Sequence, residues 1–539
     1  MRETSVSPSD RHSGARRSFS WWLTAPGEKV NPVPVPEEYL MMLEEVLYRI
    51  SEQAKRKRMT LPDQKTKIVC TIGPASRSPE VLARMILAGM NVARLNLSHG
   101  TFDEHRETIK NIRTAADDTG LPVTILLDLP GPKIRIGDLT HEPLELHKDE
   151  TVTLTTGPAS SDPSRIPVDF EQFPQLVSEG STIFLNDGFL QLRVDEVAAS
   201  EVRATVIIGG PLLSRKGMSL VGGGGIVALS AVTDRDLECI DFGLAEGLDT
   251  FSISFIERAE DILKAREYAA QSGKSIRVIA KIERQEALAN LDGILRETDG
   301  VMIARGDLGV QTPIEDVPTV QKRIIQKANI LGRPAITATQ MLMSMTDNIR
   351  PTRAEVTDVA NAILDGTDAV MLSEETSIGK YPVETVAMMA KIARSTEEKR
   401  SIVGAGCSAL AYFRQGKGRE KITVNDVVSI NVVEAIDALG IRLVLTPTRS
   451  GSTPRNISRF KPEAWILAFT RNPSTFKFLA FSYGVCSFLI RSEKEYWHEA
   501  ILDSVRDSGI IKSGERVVLT EGVSPGREGT DSLIILTVE

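Results

Sequence analysis

The chain has 539 residues, too many for one hydrophobic core, which usually stops growing near ~250–300 residues, so two to four domains are expected. Apolar residues at 41% and charged residues at 25% exclude a disordered chain. With 64 basic against 72 acidic residues the net charge is −8, which offers no chain-wide attraction for nucleic acid or an anionic membrane, so any anion site must be local. Cys70, Cys239, Cys407 and Cys486 are dispersed without a C-x-x-C pair or a histidine ladder, and read as buried free thiols in a reducing cytosol. Apolar runs such as Ala464 to Phe469 fall short of the ~20 residues that span a bilayer. A cytoplasmic location is expected, because Glu3 and Asp10 interrupt the Arg- and Ser-rich start that faintly suggests an organelle transit peptide.

Residues 1–35 are rich in Ser, Arg and Pro and read as a disordered tail. In the segment 36–64, Leu40, Leu43, Leu47, Ile50 and Ala54 recur at helical spacing and predict an amphipathic helix. From Lys65 onward short β-branched runs alternate with helix-periodic stretches, the pattern of repeated βαβ units. Eight strands are predicted: Lys67 to Thr71, Val92 to Leu97, Val123 to Leu129, Thr250 to Phe255, Ile276 to Ile282, Gly300 to Ala304, Ala335 to Thr339 and Ala369 to Leu372. Helical patterns such as Ser78 to Ala88, Ala259 to Ala270, Val317 to Leu331 and Arg353 to Leu364 lie between them, which fits a (β/α)8 TIM barrel over 65–132 and 226–398.

About 120 residues separate the third and fourth strands, ten times what a crossover needs, so a small β-barrel lid domain is inserted over 133–225. Its predicted strands are Leu144 to Thr156, Thr182 to Phe184, Leu190 to Val194 and Val202 to Ile208, and Gly222 to Gly225 read as its hinge. Beyond residue 399 a helix near Val427 to Leu439 and strands Arg442 to Thr446, Ala464 to Phe469, Arg516 to Thr520 and Ser532 to Val538 predict a C-terminal α/β domain.

Reactive groups of a parallel barrel gather where the strands end. The second strand ends in Arg94, Asn96 and Ser98, followed by His99; the third ends in Asp128; the fifth in Lys281 and Glu283. The sixth leads into Arg305-Gly306-Asp307, the seventh ends in Thr339 and the eighth in Ser373. Lys281 and Glu283 flank Ile282, so on a strand they share one face. Glu283 and Asp307 supply only oxygen, which suits a hard divalent ion such as magnesium. A lysine beside that ion requires an anion between them, and a phosphoryl group is such an anion. A structural Lys-Glu ion pair is the alternative reading of the same residues.

Several stretches together resemble the pyruvate kinase family: Met90-Asn91-Val92-Ala93-Arg94-Leu95-Asn96-Leu97-Ser98-His99-Gly100, Val278 to Glu283, Met302 to Val310, Thr337 to Leu342, Arg350 to Glu355 and Met371 to Ser373. The resemblance runs from about Lys65 to the C-terminus. It implies transfer of phosphate from phosphoenolpyruvate to ADP with magnesium or manganese, a homotetramer, and a site in which Glu283 and Asp307 hold the metal. It further implies that Lys281 neutralises the moving phosphoryl group, that Arg94 grips the phosphate, and that Gly306, Asp307 and Thr339 hold the carboxylate. Thr339 and Ser373 would lie near the proton relay, and His99, Arg135 and Lys216 would contact the nucleotide, the last from a lid that closes to exclude water.

Many members of that family bind potassium through residues matching Asn96, Ser98, Asp128 and the Leu129 carbonyl, followed by a glutamate. Here Lys133 stands in the glutamate's place, and an ammonium can supply the point charge that the monovalent ion otherwise would, so potassium-independent activity is expected. In the C-terminal domain Thr448-Arg449-Ser450-Gly451-Ser452-Thr453 lies between a strand and a helix and resembles the family's loop for a phosphorylated effector; an ordinary capped helix start is the alternative. Two rival functions are a magnesium-dependent barrel lyase acting on pyruvate enolate and a catalytically dead regulatory protein, and the intact ring of Arg94, Lys281, Glu283, Asp307 and Thr339 argues against the second.

Overall fold

The computed structural model describes residues 61–132, 134–157, 162–186, 188–221, 230–400, 408–414, 422–490, 501–502, 505–506, 508–522 and 529–538. The expected N-terminal helix, the Gly222 to Gly225 hinge, Cys407 and Lys133 lie outside the described residues. The chain opens with three parallel strands, β1 (Lys67–Thr71), β2 (Val92–Asn96) and β3 (Thr124–Asp128). It then enters the insertion: β4 (Ile134–Arg135), β5 (Leu144–Leu146), β6 (Thr151–Thr155), β7 (Arg165–Pro167), β8 (Thr182–Leu185), β9 (Leu190–Val197), β10 (Glu201–Ile208), β11 (Gly210–Leu212) and β12 (Gly217–Val221). Five further parallel strands, β13 (Thr250–Ile253), β14 (Arg277–Ile282), β15 (Gly300–Ala304), β16 (Ala335–Ala338) and β17 (Ala369–Leu372), complete a closed eight-stranded barrel. The C-terminal sheet holds β18 (Leu443–Pro447), β19 (Trp465–Thr470), β20 (Val485–Leu489), β21 (Arg516–Glu521) and β22 (Ser532–Thr537), with β22 antiparallel to β21.

The barrel's interior follows from the period of two along each strand. Val69, Val92, Leu126, Ile279, Met302 and Ile336 meet inside as one buried apolar cluster. Two residues further along the same inward faces come Thr71, Arg94, Asp128 and Lys281. The lower barrel is thus an apolar plug and the upper barrel a polar mouth. Phe478 and Phe481 of the C-terminal domain, almost wholly buried, join the plug from below, each burial contributing about 1.5–3 kcal/mol. The same junction is stitched by polar contacts: the Lys67 ammonium donates to the Val485 carbonyl at 2.7 Å, and Lys461 pairs with Asp368 at 2.7 Å. With its bottom covered, the barrel is left its C-terminal mouth as the site.

Several boundaries differ from the sequence reading for local reasons. The run Leu144 to Thr156 divides into β5 and β6 because His147 to Glu150 form a turn, with Asp149 at φ +67° and the Glu150 side chain accepting the His147 N–H. β16 stops at Ala338, since Thr339 adopts φ +67°. The short strands β4, β7, β11 and β12, and β20, carry too few residues or too mixed a pattern to stand out in the sequence. The insertion forms a seven-stranded sheet, and an Ile136–Val168 bridge joins its two outer strands. Among the described residues no helix is long and apolar enough to cross a membrane.

Asp299, buried just ahead of β15, ties strand ends together by accepting the Val278 N–H at 3.0 Å and pairing with Arg266 and Arg277 at 2.6 and 2.8 Å. Burial alone would push its carboxyl up, but the two guanidinium groups outweigh that and hold it below the usual range. A depressed folded-state value means a stabilisation present above the unfolded value of ~3.9 and lost as pH falls through the folded one. Asp299→Asn should therefore lower the thermal unfolding midpoint at pH 7, with a cost of about 3–5 kcal/mol for a broken buried pair. The gap from the wild type should close as the pH drops below ~4, which calorimetry across pH would show.

Candidate active site

The polar mouth is organised around Asp128, at the end of β3 and 1% exposed. Its Oδ2 accepts from the Arg94 Nε at 3.0 Å and from the Arg94 Nη2, and lies 3.4 Å from the Lys281 Nζ. Its Oδ1 accepts from the Ser252 hydroxyl at 2.6 Å. Arg94 is braced on its other edge by the Thr71 hydroxyl at 2.8 Å. Lys281 continues the chain of contacts, with its ammonium 2.9 Å from Glu283 Oε1 and 2.7 Å from the Ser254 hydroxyl, which in turn donates to the Leu129 carbonyl at 2.8 Å. Glu283 Oε2 accepts the N–H of Phe255, a residue at φ +57° whose ring lies beneath the Arg284 guanidinium.

The electrostatics follow from burial set against neighbours. Burial alone would raise Asp128, but Lys281 and Arg94 hold its carboxyl below the usual range. Burial alone would lower Lys281, but Asp128 and Glu283 keep its ammonium held more tightly than in water. Glu283 goes the other way: burial pushes it up, Lys281 opposes, and Asp307 pushes it up further. Buried Glu283 and half-buried Asp307 are thus close enough to repel each other, and two such carboxylates fit a hard divalent cation. Among the described residues no group of three or more His, Cys, Asp and Glu side chains is arranged for a metal; a divalent ion held by these two carboxylates would complete its shell with water or substrate oxygens.

Beside β14 in the barrel, Arg305-Gly306-Asp307 opens a short helix, Arg305–Gln311, directly after β15. The Gly306 N–H donates to the Thr339 hydroxyl at 2.9 Å, which donates to the Ala338 carbonyl at 2.7 Å. Ser373 follows β17, and its N–H donates to the buried Glu375 carboxylate at 2.6 Å. Gly131, at φ +65°, crosses so close to this region that a Cβ there would sit 2.9 Å from the Phe255 ring, and Asp236 accepts its N–H at 2.9 Å.

Of the residues read as nucleotide contacts, Arg135 and Lys216 come together on the insertion: β4 pairs with β12 and Arg135 donates to the Arg215 carbonyl at 3.0 Å. His99 is exposed on the barrel, its carbonyl 2.8 Å from His105 Nε2. In the monovalent-cation region, the Asn96 side chain accepts the Ser98 N–H at 3.2 Å, while Asp128 and the Leu129 carbonyl are engaged as above. The Thr448 to Thr453 loop spends much of its polarity on itself: Gly451 N–H donates to Thr448 at 2.9 Å, Ser452 N–H lies 3.4 Å from Ser450, and the Arg449 carbonyl accepts from Thr475. A cavity of about 570 Å³ walled by Arg305, Gln321, Lys322, Arg353 and Asp358 lies behind the mouth and contains none of the residues read as catalytic.

Sequence reasoning took nothing from the ends of the first and fourth strands, yet Thr71, Ser252 and Ser254 hold Arg94, Asp128 and Lys281 in place. A signal was present: Ser252 and Ser254 alternate with the apolar Phe251, Ile253 and Phe255 along and just past β13, at the period that puts both on one face.

A parallel barrel with buried charges at its C-terminal mouth, an inserted β sheet and a C-terminal α/β domain defines a TIM-barrel enzyme built to hold an anionic substrate. Residues 63–386 match the family described as Pyruvate kinase, barrel domain, and residues 426–536 the one described as Pyruvate kinase, alpha/beta domain. A pyruvate kinase of Thermococcus litoralis is 47% identical over 481 residues, covering 89% of this chain and 100% of the relative, and one of Geobacillus stearothermophilus is 43% identical over 485 residues, covering 87% and 80%. The crystal structure of a pyruvate kinase from Cryptosporidium parvum superposes with a TM-score of 0.80 at 34% identity, covering 88% of this chain and 97% of that one. The chain belongs to the pyruvate kinase family and is a phosphotransferase.

Asp128→Asn keeps the shape of the side chain but removes the charge that holds Arg94 and Lys281 side by side. Turnover should fall by about 10²–10³-fold, with circular dichroism and thermal midpoint showing a folded protein; a variant with wild-type rates would remove Asp128 from the centre of the site.

Proposed function

We propose that this enzyme transfers the phosphoryl group of phosphoenolpyruvate to ADP with magnesium as cofactor, and that it does so without potassium. The observation that carries this reading is the sharing of Asp128 by Arg94 and Lys281, which sets two cations side by side at the mouth. Two fixed cations facing one open space suit the several negative oxygens of a phosphoryl group better than a single carboxylate. Magnesium, held by Glu283 and Asp307, would neutralise phosphate charge at the same place.

Each remaining step falls to a named residue. Arg94 binds the phosphate, and Lys281 neutralises it and then the enolate oxygen left when phosphate departs. The amides of Gly306 and Asp307 and the Thr339 hydroxyl hold the carboxylate, orienting the substrate for in-line transfer. Arg135 and Lys216 bring positive charge to the nucleotide from the insertion, with His99 from the barrel. Gln311 donates to the Leu220 carbonyl of β12 at 3.1 Å, so the insertion leans on the helix that carries the carboxylate site. Its closure would exclude water that would otherwise compete with ADP. Protonation of enolpyruvate is assigned to a water near Thr339 and Ser373. Support for potassium independence lies in the sequence, where Lys133 replaces an acidic residue.

Pyruvate formation from phosphoenolpyruvate should require ADP and a divalent ion, cease with a chelator, and fall by about 10³-fold or more in Lys281→Met; pyruvate release that ignores ADP would instead mark a lyase or phosphatase. Rates in sodium-only and potassium buffers should agree within about twofold, whereas Lys133→Glu should make the enzyme respond to potassium. Strong potassium activation of the wild type would overturn that part of the reading.

A further inference from the structure

The turn that carries Thr339 is held in a conformation that its own residues disfavour. Thr339 and Gln340 lie at φ +67° and +53°, the left-handed region, where a β-branched threonine is a genuine outlier. Each such residue costs about 1–2 kcal/mol and persists where the surroundings over-determine it. The surroundings here are largely one side chain. The Arg305 Nε donates to the Ala338 carbonyl at 3.2 Å, and its Nη2 donates to the Thr339 carbonyl at 2.7 Å and lies 2.8 Å from the Met341 sulfur. Its Nη1 pairs with Asp358 at 2.7 Å, which fixes the guanidinium from behind. At the far end of the turn, Glu375 accepts the Leu342 N–H at 3.1 Å.

We propose that Arg305 is a positioning residue: it holds the Ala338–Thr339–Gln340 backbone in its left-handed turn, so that the Thr339 hydroxyl stays aligned with the Gly306 amide, and Asp358 orients Arg305 for that task. The geometry explains why arginine is needed. Two adjacent carbonyls and a sulfur are met from one rigid fork whose remaining edge is still free for a carboxylate, which a lysine ammonium on a flexible stem cannot reproduce. Arg305 is also the first residue of the helix whose next two residues offer the amides for the substrate carboxylate. One residue therefore joins both halves of that subsite, the Gly306–Asp307 amides through its backbone and Thr339 through its guanidinium. This role rests on the reading of Thr339 as a carboxylate contact.

The selective readout is the Michaelis constant of each substrate. In Arg305→Lys, kcat/KM for phosphoenolpyruvate should fall by about 10- to 100-fold, the scale of an ångström-sized misplacement, while KM for ADP stays within about twofold, because the nucleotide contacts lie elsewhere. Asp358→Asn, at a half-exposed position that folding tolerates, should shift the same parameter in the same direction by a smaller factor. Thr339→Gly supplies the decisive background, since glycine adopts φ +67° without strain and has no hydroxyl to place. There Arg305→Lys should add less than about threefold, as expected for two residues acting through one another. Equal losses for both substrates, an unchanged Asp358→Asn, or a full multiplicative effect of Arg305→Lys on top of Thr339→Gly would each overturn the proposal. A wild type that forms no ADP-dependent pyruvate would instead sink the functional reading itself, before any variant is compared.

Discussion

One buried carboxylate, that of Asp128, lets two cations stand together where neither would be stable alone. Arg94 and Lys281 are each about one-tenth exposed, and an isolated buried charge costs several kilocalories per mole after relaxation. Asp128 offsets that cost for both, and Ser252, Ser254 and Thr71 satisfy the hydrogen bonds that would otherwise be lost. With a divalent ion held by Glu283 and Asp307, the positive charge of Arg94, Lys281 and the ion would exceed that of the three carboxylates, and a phosphoryl group would supply the missing negative charge.

The rest of the molecule follows from that requirement. A buried charge network needs a rigid floor, and the apolar layer of Val69, Val92, Leu126, Ile279, Met302 and Ile336, closed from below by Phe478 and Phe481, provides one. The inserted sheet reaches this rim, where Gln311 of the helix after β15 donates to the Leu220 carbonyl of β12 at 3.1 Å. At the barrel rim Phe255, Thr339 and Gln340 take left-handed backbone, with the Phe255 N–H held by Glu283 and the Thr339 carbonyl by Arg305. The rim is where loops can differ without disturbing the floor.

Much of the site could be read from the sequence because period two is rigid. Once Ile279 is inside a barrel strand, Lys281 must be inside as well, and Arg94 follows Val92 in the same way. The apolar-to-charged switch along β2, β3 and β14 therefore marks the mouth in the sequence itself. The supporting hydroxyls were harder to see, since Thr71, Ser252 and Ser254 are small, common residues whose importance lies in what they touch. Strand ends were misjudged by a residue or two wherever a turn began under an outside influence, as at Thr339, where Arg305 imposes φ +67° on a residue that alone would extend β16.

The amino-acid sequence by itself determined the alternation that makes a parallel barrel, the long gap that demands an inserted domain, and the polar residues at the strand ends, because each depends on spacing along the chain. Only the tertiary structure decided which charges share a partner. Asp128 and Lys281 are 153 positions apart, and Thr124 meets Lys477 across 353. Contacts of that kind depend on how the strands close and how the C-terminal domain seats beneath them, and no local pattern encodes a distance through space.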